Sequence, residues 1–196
     1  MVFVDPLAVM LIGLAMSTTV GGFYFFFVAR GKYEHVRSLV VPAIAIGIFD
    51  AVAGFYMAFG WPMTGFGTAY NMLFGDPLLL AGLILVMGGI MGYRDPEHIH
   101  WNIVPLLILF VGIYTLVGAF SIVQLNLEKG QNLITAMGLY VFDGLGAVLA
   151  PVMYLKPVNS TTKGLYYMVW IVLGIGTVFA LVIGFMALNG HLASPP

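Results

Sequence analysis

The chain has 196 residues, 61% of them hydrophobic and 8% charged, with a formal net charge of −1, no cysteine and a mean hydropathy of +1.04. Soluble domains carry about a quarter of their residues as charged side chains, so this is the composition of an integral membrane protein. The balanced charge gives no support for nucleic-acid binding, and the absence of cysteine excludes disulfides, thiolate metal sites and thiol redox chemistry.

Spans of about 17 to 25 residues with short connections allow about six helices. The expected fold is all-α and polytopic, a single transmembrane domain over residues 1–196. The N-terminal residues lack the basic region of a signal peptide, and the apolar run after them is too long for a signal core, so they are read as a mature helix. The first span is expected over residues 6–29; it opens on Asp5-Pro6, where the carboxylate caps free N–H groups and proline needs no donor. The second covers 38–59 and ends in Gly60-Trp61-Pro62. The uncharged linker 61–75 carries Trp61, Phe66, Tyr70 and Phe74, rings that suit the headgroup level, and reads as an interfacial cover. Asp76-Pro77 repeats the capped start and sets the third span at 77–93. Spans four, five and six follow at 103–124, 133–154 and 165–188. With six spans, Arg30, Lys32, Arg37, Arg94, Lys156 and Lys163 fall on one side and Lys129 on the other. Basic residues in short loops favour the cytoplasm, so the chain is expected to be a multi-pass protein of the cell membrane with both termini outside.

Two spans each carry one carboxylate at mid-length, Asp50 after Phe49 and Asp143 after Phe142. A charge at the bilayer centre costs roughly 2.5 kcal/mol or more, so each aspartate is either a functional group or a well-satisfied structural one. A shift of 93 residues lays these spans on each other with the aspartates in register. Spans one to three then match four to six, giving half-repeats 1–94 and 95–196. Because three is odd, such halves are inverted in the membrane. Around Asp50 the small residues Ala43, Gly47, Ala51, Gly54 and Ala58 form a stripe, and around Asp143 the residues Ala136, Tyr140, Gly144, Ala147 and Pro151 recur in the same rhythm. Small stripes let helices approach closely, so both aspartates should face protein. If the stripes face each other, Asp50 and Asp143 meet and share or relay a proton, with Tyr140 as a hydrogen-bond partner. Ser17, Thr18, Thr19, Tyr114, Thr115 and Thr177 lie at similar depth.

Glu97, His98 and His100 offer nitrogen and oxygen ligands in a loop, a weak metal signal in residues that are usually just solvated. No histidine lies inside a span, against an intramembrane bis-histidine haem, and no cofactor is expected. The chain has no nucleotide loop, nucleophile elbow or zinc-protease motif, so no familiar enzyme class is supported.

The segment Gly60-Trp61-Pro62-Met63, then Tyr70-Asn71-Met72-Leu73-Phe74-Gly75-Asp76-Pro77, set among six spans, resembles a prokaryotic membrane family, domain of unknown function 981. That resemblance implies the six-span architecture and no activity. It also singles out Trp61, Tyr70 and Asn71 as contacts at an outer vestibule. Two functions stand side by side. One is a small-solute or proton-linked transporter or channel centred on Asp50 and Asp143. The other is a non-catalytic accessory or assembly subunit, associated with other membrane subunits or with copies of itself, in which the aspartates are packing devices.

Overall fold

The computed structural model describes residues 6–63, 68–95 and 103–193, and within them the chain is helical. Helix α1 (Pro6–Ala29) turns at Gly31, whose positive φ of 65° suits a residue without a Cβ. The short helix α2 (Tyr33–Ser38) leads almost directly into α3 (Val40–Gly60). Then come α4 (Thr68–Arg94), α5 (Val104–Gln124), α6 (Gly130–Val148) with a 3-10 turn at Ala150–Tyr154, and α7 (Ser160–Ala193). Six segments are long and apolar enough to cross a membrane. Their outward faces expose Val41, Val52, Phe59, Phe110 and Phe120, among others, side chains that belong in acyl chains rather than water.

The third span starts nine residues before the expected Asp76-Pro77 cap, and Pro77 lies inside α4. Proline has no N–H to give the carbonyl four residues earlier, here Leu73. That carbonyl finds its donor elsewhere: the Tyr140 hydroxyl from α6 bonds Leu73 O at 2.6 Å. Because this donor comes from a distant part of the chain, the helix passes through a proline that reads locally as a start. Most of the expected interfacial cover is accordingly helix; residues 64–67 lie outside the described residues, as do Asp5 and the loop candidates Glu97, His98 and His100.

Each span packs on the spans before and after it, and α7 packs extensively on α1, so the six spans form a ring in chain order. The tightest seam joins α3 to α4 through glycine. A Cβ at Gly47 would lie 2.8 Å from Gly82 O, one at Gly54 2.8 Å from Gly75 O, and one at Gly75 2.7 Å from Ala58 N. The small stripe around Asp50 therefore meets α4. The stripe around Asp143 meets α5, where a Cβ at Gly112 would fall 2.8 Å from Gly144 O. The two stripes do not face each other, in contrast to the expectation from their spacing.

Candidate functional site: a polar row and a cavity

Near mid-span, four helices contribute one row of polar groups. Asp50 of α3 is fully buried and accepts a hydrogen bond from Ser17 of α1. It fits there because Gly13, one turn before Ser17, leaves room: a Cβ at Gly13 would lie 2.6 Å from Asp50 Oδ1. The next residue of α1, Thr18, meets Thr177 of α7 with hydroxyl oxygens 2.7 Å apart. Beside Thr177, Gly176 supports Asp143 of α6, and any side chain there would overlap the carboxyl. The row thus reads Asp50, Ser17-Thr18, Thr177-Gly176, Asp143, with each carboxylate seated on a glycine of its neighbour.

The aspartates share a level but not a bond. Asp50 uses one oxygen on Ser17, its Oδ1 has no partner, and both oxygens of Asp143 are buried without one. A shared proton would need the two carboxyls in hydrogen-bond contact, so the expected pair is two separate groups. Nor are they equivalent: Asp50 leans on the preceding span, Asp143 on the following one. Both do face protein, as the small-residue stripes suggest.

Tyr140 does not serve Asp143. Its hydroxyl is committed to Leu73 O, and its ring crosses the ring interior beneath Gly118 of α5, where a Cβ would sit 3.0 Å from Tyr140 Cε1. Phe74 packs against it with centroids 5.7 Å apart. Tyr140, Leu73 and Phe74 together bound one end of an interior cavity of about 260 Å³. The cavity continues past Leu78, Ala81 and Ile108 toward Val36, Val104 and Met153. Its wall is almost wholly apolar; Ser17, Thr18, Tyr24, Thr115, Tyr140 and Asp143 are its polar members.

Of the vestibule candidates, Asn71 is fully buried and acts as a clamp. Its amide donates to Met63 O (2.8 Å) and Thr68 O (3.2 Å), and its Oδ1 accepts from Met63 N (3.0 Å), tying the chain just after α3 to α4. Trp61 caps α3 in a left-handed conformation (φ 49°) and is exposed. Tyr70, half-buried, donates to Glu128 beyond α5, and further along α4 Tyr114 donates to Asp76 at 2.6 Å. Asp76 is thus an acceptor between helices and not a cap. Among the described residues no group of three or more potential metal-ligating side chains occurs.

Sequence reasoning missed Gly13, Gly118, Gly176 and the Leu73 carbonyl. Only the last had a signal: a proline within an otherwise apolar helical run always leaves a carbonyl in search of a donor. No curated protein and no solved structure matches the chain. A family model does, over residues 1–194, and the chain belongs to that family, described as protein of unknown function DUF981.

Proposed function

We propose that this protein is a small-solute transporter or channel whose path runs through the interior of the helix ring, with Asp143 at the cavity wall and Asp50 in the polar row beside it. The observation that supports this reading is the cavity itself. Six helices that served only to support a partner would be expected to fill their centre to crystal-like density, yet here about 260 Å³ stays open beside a carboxylate. The same reading sets the protein in the cell membrane with both chain ends outside, since Arg30, Lys32, Arg37, Arg94, Lys156 and Lys163 gather at the opposite end of the ring. Tyr140, Leu73 and Phe74 then form the outer barrier.

Reconstitution into liposomes tests the proposal. Solute or proton flux above that of empty vesicles is expected, reduced by Asp143→Asn and, through the polar row, by Asp50→Asn. Flux that ignores both substitutions removes the aspartates from the path. Absence of flux, with purification in mild detergent at a fixed ratio to other membrane proteins, replaces transport by the accessory-subunit reading.

A further inference from the structure

We infer that the ring cavity is a binding site for a small, mainly apolar primary amine whose ammonium group is received by Asp143. This names the solute class of the proposed path and rests on the cavity being that path. The argument starts from donors. Both Asp143 oxygens are buried and accept nothing. Each nearby hydroxyl has one proton to give, and each is already engaged. Thr115 donates to Val111 O, Tyr140 to Leu73 O and Ser17 to Asp50. Thr18 and Thr177 bond each other and the carbonyls of Leu14, Ala15 and Leu173. The seven Lys and Arg residues all lie in loops or at span ends. Asp50 thus has a donor from its own chain, whereas Asp143 has none.

A carboxyl left so in an apolar surround is costly, and what it lacks is N–H or O–H donors and, when ionised, a positive charge. An ammonium group brings both, with three donors for two free oxygens. An alcohol brings one donor and no charge. The rest of the solute meets Leu14, Leu78, Ala81, Leu85, Ile108 and Leu139, which suit an alkyl group. At about 260 Å³ the cavity falls just below the roughly 300–1,000 Å³ of drug-sized sites, so the alkyl part is small. The Asp143 carboxyl rests on Gly176 at the cavity wall, so receiving the amine requires a rotation about its Cα–Cβ bond.

Binding of cyclohexylamine to the purified protein in detergent tests this, with cyclohexanol as the uncharged match. At about pH 8 an alkylamine, like lysine, stays protonated. Calorimetry and thermal stabilisation should show the amine binding at least about ten-fold more tightly than the alcohol, with the preference lost in Asp143→Asn. Gly88→Leu gives a second handle: Gly88 lines the cavity and a Cβ there meets only Val104, at 3.9 Å, so the larger side chain fills the space without entering backbone. It should abolish amine binding with Asp143 intact, while Tyr114→Phe, outside the cavity, should leave it unchanged. Equal binding of amine and alcohol, an Asp143→Asn variant that binds like the parent, or no binding by the parent overturns the inference. Amine binding without flux removes transport and leaves the site standing; flux of another solute without amine binding does the reverse.

Discussion

The two seams on either side of α4 are built from opposite materials. Toward α3, glycines 47, 54, 75 and 82 bring backbones together so closely that no Cβ fits, and no side-chain hydrogen bond is needed. Toward α5, the glycines leave room, since a Cβ at Gly88 meets only Val104 at 3.9 Å, and the links are two tyrosine–carboxylate bonds, Tyr70 to Glu128 and Tyr114 to Asp76. In lipid, apolar side chains gain nothing by leaving acyl chains, so close backbone packing is what holds helices together. The α3–α4 seam is thus fixed by shape, and the α4–α5 seam by bonds that can be exchanged. A path through the ring would open at the second kind of seam.

Breaking the shape-fixed seam should have the largest effect. Gly54→Leu drives a side chain into the backbone of Leu79 and Gly75. Overpacking a core costs about 1–3 kcal/mol even where side chains can shift, and here backbone must move, so the variant is expected to lose its compact form on size-exclusion chromatography in detergent. Survival of a native-like elution profile and melting temperature would show that the seam is not tight.

Next in size is Tyr140→Phe, which leaves the Leu73 carbonyl without a donor in the cavity wall, at a cost of about 1–3 kcal/mol. The double-mutant cycle with Pro77→Ala sharpens this. Alanine in place of the proline restores an N–H for Leu73 O, so Tyr140→Phe should cost at most about 0.5 kcal/mol in that background. An undiminished cost would mean that Tyr140 acts by packing alone. Ser17→Ala should fall in the same range, because it strips Asp50, fully buried, of its donor. Smallest are Tyr114→Phe and Tyr70→Phe. Their bonds are partly exposed, and each loss should lower stability by about 0.5–1.5 kcal/mol in chemical denaturation. If transport uses this seam, these two variants should change flux more than they change stability; unchanged flux would point the path elsewhere.

Much of the architecture is legible in the residues, and the failures have physical causes. The number of spans and the inward burial of both aspartates follow from length, apolarity and small-residue spacing, quantities local to one helix. The start of α4 was misread because Asp76-Pro77 is a sound local cap, and the donor that lets the helix continue stands on α6, 67 residues from Leu73. Likewise, the stripe around Asp50 shows that something comes close but not which helix; the choice of α4 depends on the glycine register of the pair. The seats of the two carboxylates were hidden for a simpler reason. Gly13 and Gly176 act by having no side chain, and in a chain with 25 glycines nothing marks those two out.

The closure of α7 on α1 has a consequence for biogenesis. The translocon releases spans in order of synthesis, so α1, whose Thr18, Gly21 and Gly22 await Thr177, Leu173 and Trp170, enters the bilayer long before its principal partner exists. Until then Thr18 lacks the hydroxyl it meets in the finished ring, whereas Ser17 finds Asp50 as soon as α3 follows, so the two neighbouring polar groups of α1 are satisfied at opposite ends of synthesis.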